Sequence, residues 1–172
     1  WRRCRSRQAV AAALQPQSYG GAGDVEVITG TSSIIIDLLR RNASANAARC
    51  EHQPQVRTID WSDDSDVASA HATSPDGAGF SLILGSDITY AKGSHESLAK
   101  AIVKLLSPTR AGFAPSVALI AHDSRRVDLW GVDVQLRSFE DAALACGLQV
   151  QRSHLRFEET GSDGYLLRLV LG

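Results

Sequence analysis

The chain has 172 residues, 44% hydrophobic and 22% charged, enough for one domain with a sizeable core and too balanced for a disordered segment. A formal net charge of -1 excludes a global basic field that would recruit nucleic acid or an anionic membrane. Three widely spaced cysteines, Cys4, Cys50 and Cys146, have no close Cys or His at a metal-ligand spacing. They argue against a disulfide framework and a zinc site, and for an intracellular, cytoplasmic setting.

The first residues, WRRCRSRQ, carry four arginines and lead into a short apolar run, Ala9 to Leu14. That run is too short for a signal core or a membrane span. The sequence contains no methionine, and we expect it to be part of a longer chain.

Residues 7–14 read as the tail of a helix, and QPQSYGGAGD after them as a loop. VEVIT, 25–29, reads as a strand. From a cap at Ser32 or Ser33, Ile35, Leu38, Leu39 and Asn42 recur at helical spacing, with Arg40 and Arg41 toward water.

VRTID, 56–60, is the next strand, and the polar stretch from Ser62 to Gly79 has the composition of a surface loop. FSLILGSD, 80–87, is a strand buried on both faces that ends abruptly in polar residues. Ser94 can cap a helix on which Leu98, Ala101, Ile102, Leu105 and Leu106 form a stripe before Pro108.

SVALIAHD, 116–123, is a further buried strand, and His122 at its end reads as a solvated surface histidine. Ser138 and Asp141 give a capping-box pattern ahead of Phe139, Ala142, Ala143 and Cys146, with Gly147 at the C-terminal cap. LQVQRSHLRFEE and YLLRLVLG, joined by TGSDG, are a terminal hairpin.

Strands and helices thus alternate and end in a hairpin, which predicts a single domain over residues 1–172. Its fold class is α/β, a Rossmann-like, mostly parallel sheet with one reversed strand in a C-terminal antiparallel hairpin. Ligands bind such sheets at the carboxyl ends of the strands. There stand Thr29, Gly30 and Thr31; Asp60 and Trp61; and Gly85, Ser86, Asp87 and Tyr90.

IDW at 59–61, LILGSDITY at 82–90 with Asp87-x-x-Tyr90, ALIAHDSR at 118–125 and the terminal hairpin together carry a family resemblance. From about residue 8 to the end the chain resembles the class I, seven-β-strand S-adenosylmethionine-dependent methyltransferases, and among them the protein-lysine methyltransferases. The resemblance implies S-adenosylmethionine as cofactor and a protein presenting a lysine as partner, with no membrane or nucleic acid involved. Methyl transfer would be a direct displacement without a metal.

It also implies roles for residues. Asp60 and Trp61 would line the adenine pocket, the first by accepting from an exocyclic amine, the second with its flat apolar face. Gly85 and Ser86 are small enough to let the cofactor approach the backbone. Asp87 and Tyr90 would be catalytic, orienting a lysine that must arrive as the neutral amine.

Two departures concern the cofactor. The family's first strand and the acidic Gly-rich loop after it are missing. Gly20, Gly21 and Gly23 precede a strand instead of joining a strand to a helix. At the cofactor-facing position Gly30, the family generally has an acid for the ribose hydroxyls. Without the first strand, the strands at 25–29 and 80–87 would present unpaired edges.

Three other readings compete: a degenerate, non-catalytic methyltransferase-like interaction module; a nucleic-acid methyltransferase, against which stand Ile88 and Thr89 where two prolines are usual; and a nicotinamide-dependent dehydrogenase, which needs its own Gly-rich fingerprint.

Overall fold

Strands of four to ten residues build one seven-stranded sheet in the order β3-β2-β1-β4-β5-β7-β6. The structure, a computed structural model, describes residues 10–13, 26–29, 33–49, 55–74, 77–90, 92–108, 114–124, 131–157 and 162–172. The strands are β1 (Val10–Ala13), β2 (Glu26–Thr29), β3 (Gln55–Thr58), β4 (Leu82–Ser86), β5 (Val117–Asp123), β6 (Leu148–Phe157) and β7 (Ser162–Leu171). The helices are α1 (Ser33–Asn46), α2 (Asp64–Ala72), α3 (His95–Leu105) and α4 (Val134–Ala145).

The pairings β2–β3 and β4–β5 are parallel, and β1 and β7 are antiparallel to both of their neighbours. Strands β2, β3, β4, β5 and β6 therefore share one direction, which is the predicted mostly parallel sheet with its terminal hairpin. In that hairpin Leu148 pairs with Leu171 and Phe157 with Ser162.

Residues 10–13 depart from the sequence reading: they are a strand, not the tail of a helix. They fill the position expected to be empty, pairing with Thr29 to Glu26 on one side and with Ser86 to Ile83 on the other. Two bare strand edges expose rows of amide and carbonyl groups, and a short extended run satisfies both rows at once. This strand runs against its neighbours, so the reversed strands are two, not one.

The stretch 62–79 is likewise not all loop, since it holds α2. Asp63 caps that helix, its carboxylate accepting from Ser65 N at 2.8 Å, and Asp64 and Asp66 lie in the first turn where the helix dipole favours negative charge. Only Val67 and Ala70, three residues apart, are buried on it, and it packs on α3. The N-cap of helix α4 is Asp133, five residues before the expected cap at Ser138. Gly147 does close α4, with φ +84.

Among the described side chains of α1, Ile36 is buried and Leu38 is nearly half exposed at 48%; the side chain of Ile35 lies outside the described ones. On α3 the expected stripe is the buried face: Leu98, Ala101, Ile102 and Leu105, with Leu106 beyond. One continuous core joins these to Phe80, Ile83, Ile88, Ala118, Ile120, Leu136, Phe139, Leu167 and Leu169. Each large side chain so buried contributes about 1.5 to 3 kcal/mol. Cys146 is a half-buried free thiol against this core; Cys4 and Cys50 lie outside the described residues.

The entry to β4 is clamped to the exit of α3. Phe80 N donates to Leu105 O at 2.7 Å, and Ser107 N to Phe80 O at 2.9 Å. Gly79, at φ +90, makes this possible: a Cβ there would lie 2.8 Å from Ser107 N.

Candidate functional site

Because β2 to β5 share a direction, their carboxyl ends lie along one edge of the sheet. That edge carries Asp60 and Trp61 after β3, Asp87 to Tyr90 after β4, and His122 and Asp123 at the end of β5. With strands spaced about 4.8 Å apart, the ends of β3 and β4, separated by β2 and β1, lie about 14 Å apart. An elongated ligand can lie along such an edge.

At the β3 end, Asp60 folds a turn. Its Oδ1 accepts from Ser62 N at 2.9 Å and from Ser62 Oγ at 2.5 Å, while its own N donates to Asp66 Oδ2 at 3.1 Å. These bonds from Ser62, side chain first and backbone second, hold the exposed carboxyl below its usual pKa. Both go to Oδ1, so a ligand amine can be served by the other oxygen. Trp61 is half-buried, with part of its surface on the core. Gly30 and the glycines at 20, 21 and 23 lie outside the described residues.

At the β4 end the ladder continues one step beyond the strand: Asp87 N donates to Ala121 O at 2.8 Å. Asp87 then adopts φ 54, the left-handed region that an Asp tolerates better than most residues. This turn leaves Asp87 and Tyr90 half-buried at the edge and sends Ile88 and Thr89 into the interior, 1% and 0% exposed. Gly85 has a reason to be glycine that its sequence did not reveal: a Cβ would lie 2.6 Å from Ile88 Cδ1 and 2.7 Å from Ile120 Cδ1. Ser86 is exposed at the strand end.

The buried Thr89 is held from two sides. Its Oγ1 lies 2.6 Å from His122 Nδ1, and its carbonyl accepts from His95 Nε2 at 2.9 Å. His122 Nε2 lies 2.8 Å from Asp133 Oδ2, with both side chains only 4% exposed. Asp133 Oδ2 also accepts from Ser124 Oγ, and Oδ1 accepts from Gln135 N and Leu136 N at the start of α4. His95 Nδ1 faces Ser138 Oγ at 3.1 Å, and its ring meets Phe139 edge-on.

His122 is thus not a solvated surface histidine. Strand alternation puts it on the same face as Ala118 and Ile120, both 0% exposed. Burial pushes Asp133 upward, yet the bonds from Leu136 N, His122 and Ser124 outweigh it and hold the carboxyl below its usual pKa. An ionised Asp133 accepts only, so His122 carries a proton on Nε2, and its Nδ1 pairs with the Thr89 hydroxyl, which can donate or accept.

Ser138, read from sequence as a helix cap, is instead a partner of His95. Ser94 occupies the position before α3, but its side chain makes no capping bond to the helix.

The fold is shared with a solved S-adenosylmethionine-dependent methyltransferase. The profile of a family described as Lysine methyltransferase matches residues 10–128, more than half of the sequence, and the chain belongs to that family. The match includes both Asp60-Trp61 and Asp87-x-x-Tyr90.

Among solved structures, the chain is similar to a SAM-dependent methyltransferase from Methanosarcina mazei, with TM-score 0.59 and 9% identity over 86% of this chain and 82% of that one. An O-methyltransferase from Bacillus cereus in complex with SAH gives TM-score 0.53 and 16% identity, over 83% of this chain and 60% of that one. A putative O-methyltransferase from Klebsiella pneumoniae gives 0.54 and 14%, over 84% and 60%. At such identities the likeness is one of fold, and this chain spans about three fifths of the two O-methyltransferases. A comparison with curated protein sequences finds no match.

Among the described residues, no three His, Cys, Asp or Glu side chains are grouped to hold a metal ion, and no helix is long and apolar enough to cross a membrane.

Proposed function

We propose that this domain binds S-adenosylmethionine along the carboxyl edge of its sheet and methylates a lysine of a protein, in an intracellular setting. The observation that carries this reading is the coincidence of family membership over residues 10–128 with a topology that sets Asp60-Trp61 and Asp87–Tyr90 on one edge. The residues present fit the adenosine end of the cofactor: an exposed carboxylate with one oxygen already fixed by its turn, beside a half-exposed indole face. Gly30, Gly85 and Ser86 would flank the same ligand. When bound, the cofactor supplies the methyl group.

The chain's own residues do the rest. A lysine amine has an ordinary pKa of about 10.4 and reaches the site as a cation. The Asp87 carboxylate draws that cation in, and the Tyr90 ring forms an apolar wall that favours the neutral amine; the amine gives its proton to bulk water and so frees the lone pair that transfer needs. Both groups stand on a loop fixed from below, so alignment rather than proton chemistry is their contribution.

One observation favours a non-catalytic interaction module as the second reading. Ala13 and Glu26 pair at the opposite edge of the sheet, so the carboxyl end of β1 lies away from Asp60 and Asp87. Calorimetric titration of S-adenosylhomocysteine separates the two. Saturable binding, with lysine methylation that Asp87→Ala removes while affinity stays within a few fold, supports the enzyme. A folded chain that does not bind supports the module.

A further inference from the structure

Asp133, His122 and Thr89 have the residue types of a nucleophilic triad, at 2.8 and 2.6 Å. The arrangement cannot act as one, because Thr89 is 0% exposed and its hydroxyl is spent on His122, leaving no approach for a substrate. What the chain of bonds does is mechanical. Thr89 lies between Asp87 and Tyr90, and it is gripped through its side chain by β5 and through its carbonyl by α3.

Thr89 thereby joins four elements. His122 is anchored by Asp133, the N-cap of α4; His95 is anchored by Ser138, one turn further along α4. The loop they hold contains a left-handed Asp87, a conformation with a cost that neighbouring contacts must offset. Nothing in catalysis by Asp87 and Tyr90 needs two buried histidines, whereas holding a carboxylate and a ring in fixed relation does need a loop with one conformation.

We infer that His122, oriented by Asp133, and His95, oriented by Ser138, are positioning residues that fix the Asp87–Tyr90 loop through Thr89, and so set the angle at which a substrate lysine is presented. This rests on the reading of Asp87 and Tyr90 as the lysine-orienting pair. Thr89 is the junction, and its hydroxyl is the specific handle for His122.

The test uses the full chain with Thr89→Val, which keeps shape and removes the hydroxyl, and Thr89→Ser, which restores it. Amide hydrogen exchange is followed at residues 86–90, including the Asp87 N–H on Ala121 O, and in the β6–β7 hairpin as reference. Thr89→Val should accelerate exchange at 86–90 at least tenfold while the hairpin stays within twofold, and Thr89→Ser should return it to within threefold of wild type. Nitrogen-15 spectra of the wild type should show His122 protonated on Nε2. If Thr89→Val does not fold, His122→Gln serves the same comparison, since it keeps a donor for Asp133 and gives up the Thr89 contact.

Equal acceleration throughout the sheet, or none at 86–90, would overturn the anchoring. The functional arm measures methyl transfer from S-adenosylmethionine to synthetic peptides with one lysine each, and binding of S-adenosylhomocysteine. Thr89→Val should lower kcat at least tenfold with product affinity unchanged within threefold; wild-type kcat in that variant would overturn the positioning role. A wild-type chain that methylates no peptide would instead count against the lysine reading, and the exchange comparison then decides the anchoring by itself.

Discussion

Replacing Asp133 by Ala removes two functions held by one carboxylate. Oδ1 caps α4 through Gln135 N and Leu136 N, and loss of an Asp cap costs about 1 kcal/mol. Oδ2 serves His122 and Ser124, and a buried imidazole N–H left without an acceptor costs about 1 to 3 kcal/mol more. The sum is about 2 to 4 kcal/mol, which for a domain of this size lowers Tm by about 5 to 15 °C. Asp133→Asn should cost about half as much, because its amide oxygen still caps the helix while its NH2 faces His122. Thermal unfolding followed by circular dichroism measures both variants; a Tm for Asp133→Ala within 2 °C of wild type would refute the reasoning.

The same carboxylate makes the effect pH-dependent. Its pKa is held below the unfolded value of about 3.9, so its stabilisation is fully present above that value and is lost as pH falls through the folded pKa. The Tm gap between wild type and Asp133→Ala should therefore be widest near neutrality and shrink below about pH 4. A gap that grows on acidification would mean that Asp133 is not held ionised by its partners.

Three more substitutions probe packing, cofactor and surface. Gly79→Ala places a Cβ against the backbone of Ser107 in a left-handed conformation and should cost about 1 to 3 kcal/mol in urea unfolding. Asp60→Ala should weaken S-adenosylhomocysteine binding about tenfold by calorimetry, as expected for loss of one hydrogen bond to a charged acceptor, with little change in Tm because the residue is exposed. Lys104→Ala breaks the ion pair with Asp64, but both partners are exposed, and stability should change by less than about 0.5 kcal/mol.

The parts of the fold that were legible are those in which period and burial agree. The stripe from Leu98 to Leu106 has one possible inward face, and the alternation in SVALIAHD and YLLRLVLG fixes strands in which every second side chain meets the core. Helix α2 was not legible because Val67 and Ala70 are its only buried residues, which leaves a polar composition identical to that of a loop. Residues 10–13 were misread because a run of alanine beside valine suits a helix locally. What makes them a strand is the pairing offered by β2 and β4, which are distant in sequence. Asp87 and Tyr90 were named by motif, whereas the buried residues beneath them were not. The signal was nevertheless present: the parity that buries Ala118 and Ile120 buries His122 too, and a buried histidine must have partners.

The two ends of the candidate site are therefore built differently. The proposed lysine end stands on β4, β5, α3 and α4, with fully buried side chains beneath it and Thr89 bonded on both sides. The proposed adenosine end stands on β3 and a turn that Asp60 folds for itself through Ser62. A ligand spanning about 14 Å of sheet edge would link them. Changes at Thr89 or His122 should then act on transfer with affinity preserved, and changes at Asp60 or Trp61 on affinity with the 86–90 loop preserved. Substitutions at the two ends, if they share no partner, should add in free energy when combined. A Thr89→Val/Asp60→Ala double variant whose loss of transfer efficiency exceeds the product of the single losses would show that the loop and the turn are coupled through the protein itself.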